Sequence, residues 1–255
     1  MQILISPAKK MNVETDSFAA AGLPQFLTET AQLMAALRKL SPEKLQSIWK
    51  CNDAIAALNV ARLQSMDLYH HLTPAILAYE GIQYRYLAPG VLETASLAYL
   101  QAHLRIVSGF YGLLRPFDGV TPYRLEMQAR LSVDGHRDLY AFWGSKLADA
   151  LARETGCILN LASKEYSRAV APHLPASVRF LSCTFGEIHH GRIIEKGTIC
   201  KMARGQMVRW LAEHQITCPA QIQAFSDLGY QYAAEHSTEN HFVFLRTTPT
   251  PDRSE

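Results

Sequence analysis

The sequence predicts a single α+β domain with a central mixed sheet surrounded by helices. Three observations predict it. Short apolar, β-branched runs closed by Ser recur at "ILIS", "RIVS" and "LNLAS". Longer stretches between them carry apolar residues at helical spacing. No internal repeat or low-complexity linker interrupts the chain, so one domain is expected over 1–246. A disordered polar, Pro-containing tail is expected at 247–255.

Taken in order, "QILIS" reads as a buried strand ended by Ser6-Pro7. "AKKMNVETDSFAAAGLP" keeps no period and reads as a long loop. Phe26, Thr30, Leu33, Met34 and Leu37 then repeat at helical spacing up to Leu40. Ser41 restarts a helix as its N-cap, with Pro42 at the first helical position. A third helix covers "NDAIAALNVARLQ", capped by Asn52 or Asp53. "HLRIVSG" is the second buried strand, and "GFYGLLRPFDGVTPYRLEM" reads as mostly turn and loop.

"DLYAFWGSKLADALARETG" gives the clearest helix, capped by Asp138, with Leu139, Phe142, Trp143, Leu147, Ala150 and Leu151 as its stripe. "CILNLAS" is the third Ser-ended strand and "KEYSRAV" a short helix. "SVRFLSCTF" and "GRIIEKG" form a strand pair around His189-His190-Gly191. "TICKMARGQMVRWLAEH" is a helix, and "GYQYAA" and "HFVFLR" are the last strands.

Net charge is only +2, so the average charge does not announce a nucleic-acid binder. The distribution says more: Arg105–Glu213 holds 15 Lys/Arg against 10 Asp/Glu, and the stretch from His214 onward holds 2 against 5. The cysteines, Cys51, Cys157, Cys183, Cys200 and Cys218, form no C-x-x-C and suit reduced thiols in a cytosol. No secretory signal is visible and no apolar run approaches the ~20 residues of a membrane span.

If the three Ser-ended strands lie parallel and adjacent, Ser6, Ser108 and Ser163 gather at one carboxyl edge, where open α/β sheets bind ligands. Lys9 or Lys10, Tyr111 and Lys164 would overhang the same rim. Hydroxyls, loop N–H groups and ammonium groups together suit a phosphate. Lys201 and Arg204 lie one helical turn apart, Arg209 falls in the same broad arc, and Gly205 leaves room for close approach. Other motifs carry less. "GFYG" lacks the features of a phosphate loop, no nucleophile elbow is present, and His189-His190 has no ligand partners at metal spacing.

Taken together, "ILISPAK", "SGFYGLLRPFDGVTPYRLEM", "LYAFWG", "LNLASKEYSRAV" and "ARGQMVRW" resemble the YaaA family of bacterial peroxide-stress proteins, in order from Met1 to about Arg246. The resemblance implies a cytoplasmic, DNA-binding protein of the peroxide response that limits DNA damage from peroxide and free iron. It also implies a basic cleft and a helix-hairpin-helix element, with no established cofactor. Two departures stand out. Met202 replaces the second of two adjacent lysines usual before Ala-Arg-Gly. No glycine marks a hairpin between good helices, so that element has no position in the sequence.

On this basis duplex or distorted DNA is the expected partner, with no membrane partner, no metal, and a monomeric chain. The expected phosphate contacts are Lys9, Lys10, Arg115, Arg124, Lys164, Arg168, Lys201, Arg204 and Arg209. Tyr111 and Tyr123 would stack on exposed bases. The alternative is an enzyme acting on a nucleotide or on a damaged base or sugar, through a pocket of Ser6, Ser108 and Ser163 with a desolvated lysine as nucleophile.

Overall fold

The computed structural model describes residues 1–14 and 18–246. The disorder expected of 247–255, and part of the loop expected before residue 24, fall outside the described residues.

In chain order the strands are β1 (Gln2–Ile5), β2 (Lys10–Met11), β3 (Thr73–Pro74), β4 (Tyr79–Glu80), β5 (Leu104–Ser108), β6 (Gly112–Leu114), β7 (Gly119–Val120), β8 (Cys157–Asn160), β9 (Arg179–His189), β10 (Arg192–Ile194), β11 (Tyr230–Tyr232) and β12 (His241–Arg246). The helices are α1 (Leu27–Arg38), α2 (Pro42–Trp49), α3 (Asp53–Ser65), α4 (Ala75–Ala78), α5 (Ile82–Leu87), α6 (Thr94–His103), α7 (Leu139–Trp143), α8 (Lys146–Glu154), α9 (Lys164–Ser167) and α10 (Gly197–Glu213).

The main sheet runs β11-β12-β9-β8-β1-β5-β6, with β10 paired to β9. β12, β9, β8, β1 and β5 are mutually parallel, and antiparallel β11 and β6 close the two sides. This is one mixed α+β sheet in a single compact domain. β1 sits in the middle, and Ile3, Leu4 and Ile5 are fully buried. A continuous apolar run is what a central parallel strand covered on both faces requires. The register sets Ile5 opposite Ile106 and Leu4 opposite Asn160. The carboxyl ends of β1, β5 and β8 therefore share one edge.

Several local expectations hold. Ser41 caps α2 by accepting a bond from the Lys44 N–H, Asn52 caps α3 at Ile55, and Asp138 caps α7 at Ala141. Two differ. The long helix from Asp138 divides, because Gly144 takes φ +49 and ends α7 before α8 begins. The segment read as loop after Ser108 folds back as β6.

α2 and α3 form a helical hairpin joined by Lys50, Cys51 and Asn52. Lys50 itself occupies the left-handed region, φ +46, a conformation that glycine adopts more readily. Among the described residues, no helix is long and apolar enough to cross a membrane.

Candidate functional site

A cavity of about 360 Å³ opens at the carboxyl edge of the sheet. The segment after β1 contributes Ser6, Lys9 and Lys10, and the segment after β8 contributes Ser163, Glu165 and Tyr166. Glu80, Gln83 and Tyr84 come from β4 and α5, and Lys201 and Arg204 from α10.

Three hydrogen bonds hold this edge together. The Ser163 N–H donates to Ser6 Oγ at 2.8 Å, and the Ser6 hydroxyl approaches Ser163 Oγ at 3.3 Å. The Tyr84 hydroxyl donates to the Ser6 carbonyl at 3.0 Å. α10 reaches the cavity because Gly205 lies on α5: a Cβ there would stand 2.1 Å from the Gln83 carbonyl oxygen. Glycine thus lets α10 lie close on α5 with Lys201 and Arg204 at the cavity, at some cost in helix propensity.

Charge at the cavity is mixed. Lys10 Nζ lies 2.7 Å from Glu80, Lys9 Nζ 3.4 Å from Glu126, and Arg204 Nη2 3.9 Å from Glu195. Hydrogen bonds from Lys10 and Asn12 hold Glu80 below the usual carboxyl value. Burial pushes Glu165 above it. Burial also pushes the Tyr84 and Tyr166 hydroxyls well up, so both rings stay neutral walls. Two polar groups are unanswered: Gln83 Nε2 and Arg204 Nε are buried and have no hydrogen-bond partner.

Of the residues nominated from sequence, Ser6, Ser163, Lys9, Lys10, Lys201 and Arg204 meet in this cavity. Ser108 does not. It is fully buried, and its Oγ accepts bonds from the Phe110 and Tyr111 N–H groups at 3.1 and 2.9 Å, fixing the turn into β6. Tyr111 and Tyr123 are also core residues. Tyr123 shares hydroxyl bonds with Ser108 and Tyr79, and Tyr111 with Thr121. Neither ring is open to a base.

Arg115 follows β6, which runs back along β5, so it emerges at the opposite edge beside Glu154. Arg209 pairs with Glu213 along α10 and does not line the cavity. Arg124 is largely buried, bonded to the Trp49 carbonyl and 3.4 Å from Glu126. It ties the end of α2 to Glu126, which also faces Lys9.

Lys164 and Arg168 line a neighbouring open depression of about 680 Å³ with Arg130 and Arg137. Glu165 borders both hollows. The Arg168 guanidinium lies over the Tyr140 ring, 4.9 Å from its centroid.

Sequence reasoning missed Gln83, Tyr84, Glu80 and Tyr166. Gln83 and Tyr84 stand in a six-residue helix, too short for a hydrophobic period to single out. The lysine-nucleophile reading loses its basis. That reading uses Lys9 and Lys164: the Lys9 side chain is 63% exposed and faces Glu126, and Lys164 is exposed too, so neither is desolvated.

Comparison with known proteins gives a consistent picture. The sequence profile described as "Peroxide stress protein YaaA" matches residues 1–236. An "UPF0246 protein" of Lachnoclostridium phytofermentans is 50% identical over 246 residues, 96% of each chain. One of Desulfitobacterium hafniense is 49% identical and one of Pediococcus pentosaceus 47%, each over 96% of this chain and 98% of its own.

Proposed function

The chain belongs to the family of the peroxide stress protein YaaA, and on that footing we propose that it is a cytoplasmic DNA-binding protein of the hydrogen-peroxide response. One observation carries the reading. Lys9 from the loop after β1, Lys10 from β2, and Lys201 and Arg204 from α10 converge on one cavity from segments far apart in sequence. Lys164, Arg168, Arg130 and Arg137 extend the cationic surface past Glu165. Such a surface takes phosphates and releases their counterions, largely without regard to sequence.

The α2–α3 hairpin adjoins this surface. Arg124 holds the Trp49 carbonyl where the hairpin begins, and the Arg62 guanidinium donates to the Met11 carbonyl beside Lys10. A duplex lying over the cavity mouth would meet the hairpin next, the role the family resemblance implies for a helix-hairpin-helix.

Protection against iron follows from the same chemistry. Ferrous ions are among the cations held by DNA phosphates, and each ammonium or guanidinium that takes a phosphate displaces such a counterion. Hydroxyl radicals would then form farther from the sugar and bases. Peroxide reduction by Cys183 or Cys200 fits less well, because burial pushes their thiols up to about 12 and about 11, away from the reactive thiolate.

The test is binding of the full chain to a fully paired duplex over a range of salt. Affinity should fall steeply as salt rises; a flat dependence would count against phosphate contacts as the source of binding.

A further inference from the structure

We propose that the cavity between α5 and α10 receives a single nucleotide unit, base inward and phosphate at Lys201 and Arg204. For the source of that nucleotide the inference rests on the DNA-binding reading, with an unpaired nucleotide of a distorted duplex as occupant.

Gln83 carries the argument. It is 7% exposed, lines the cavity, and its amide nitrogen has no partner in the protein. A buried amide donor left unanswered is costly, and an acceptor carried in by a ligand would answer it. Base edges supply acceptors beside donors, which is why Gln and Asn recur as their readers. Arg204 Nε, also buried and unanswered, stands on the adjoining helix. A guanidinium there suits the phosphate joined to such a base.

Shape and wall chemistry agree. The volume, about 360 Å³, is too small for a duplex and falls at the lower end of the roughly 300–1,000 Å³ of small-ligand sites. Tyr84 and Tyr166 line it as neutral rings, and the Tyr84 hydroxyl is already engaged with the Ser6 carbonyl. At 4% and 7% exposed they offer ring edges rather than open faces, an apolar lining that shuts water away from a base. Glu80 and Glu165 border the cavity too and disfavour a second phosphate inside it. This fits one nucleotide entering while its neighbours stay on the cationic surface outside. An unpaired or mismatched nucleotide leaves its stack most cheaply, so the cavity would convert general phosphate binding into a preference for distorted DNA.

The experiment compares a fully paired duplex with the same duplex carrying one bulged nucleotide, and titrates free deoxynucleoside monophosphates by calorimetry. The full chain is set beside Gln83→Leu and Ala8→Phe. Ala8→Phe fills the cavity from its loop wall and needs no change in the helices. The wild type should prefer the bulged duplex by about tenfold, and both variants should bring that ratio near one. Binding of both duplexes without discrimination, or discrimination that survives both variants, overturns the cavity's role and leaves DNA binding intact. Binding of free mononucleotide that Gln83→Leu abolishes, with no duplex binding, keeps the nucleotide site and overturns DNA as its source. No binding of either probe overturns both.

Discussion

Ser6 Oγ accepts the Ser163 N–H at 2.8 Å, joining the segments that follow two neighbouring parallel strands 157 residues apart in sequence. Sequence patterning could suggest only that both residues end strands. The register of β1 with β8 makes them partners, and this contact sets the floor of the cavity.

Ser6→Ala should therefore cost more than its mirror, Ser163→Ala. The first removes the acceptor of a backbone N–H and leaves that donor unanswered, at about 1–2 kcal/mol. The second loses only a hydroxyl contact at 3.3 Å, because Ser163 contributes its backbone to the shorter bond. Urea denaturation of both variants tests this. Equal losses would mean that the serine pair acts as a hydroxyl bridge rather than a backbone clamp.

Stability should also carry a pH signature from the opposite edge of the sheet. Asp118 is buried and accepts the Arg115 N–H at 2.8 Å. Burial pushes its carboxyl up to about 6 from an ordinary 3.8, despite Arg115 and Arg105 nearby. The folded chain thus holds this proton more tightly than the unfolded chain. The associated stability is fully present below the unfolded value and is lost as pH rises through the folded one. Asp118→Asn removes that slope. Relative to the wild type it should gain about 3 kcal/mol between pH 3.5 and pH 7. Denaturation of both proteins across that window would show a constant difference if Asp118 did not titrate there.

Gly205→Ala should run against helix propensity. In an exposed helix interior the change would stabilise by about 1 kcal/mol. Here the new methyl would meet the Gln83 carbonyl oxygen, so α5 and α10 must separate. A loss of about 3 kcal/mol is expected from overpacking. A gain at Gly205 would show that the two helices have room to spare.

How much of this was legible in the sequence depended on the range of the interactions involved. The buried strands, Ser41, Asn52 and Asp138 as caps, and the long helix carrying Lys201 and Arg204 follow from local chemistry and periodicity. Ser108 was misread because a strand-ending serine looks the same whether it faces a ligand or closes a turn onto Phe110 and Tyr111. Arg115 was misplaced because reading Gly112–Leu114 as loop hid the reversal that carries it to the far edge. Both helices of the α2–α3 hairpin were legible, but nothing local marked Lys50 as left-handed, because glycine is the usual residue there. Gln83 was beyond reach, since its meaning comes entirely from α10 closing over it.

The cations themselves should separate into two classes by their salt response. Lys201→Ala and Arg204→Ala each remove a charge at the cavity, so each should weaken duplex binding about equally for all sequences. Each should also reduce the slope of log affinity against log salt by about 1. Arg115→Ala should change neither, because its guanidinium emerges at the opposite edge beside Glu154. Glu80→Gln should act in the reverse sense. It removes a negative charge bordering the cavity and frees Lys10, now held at 2.7 Å, for a phosphate. A gain of about two- to fivefold at low salt, fading as salt rises, is the expected result. Fluorescence anisotropy with one labelled duplex at four salt concentrations would resolve all four variants. If Arg115→Ala lowered the slope as much as Arg204→Ala, the duplex would have to cross the far edge of the sheet, and the cavity could not be where it binds.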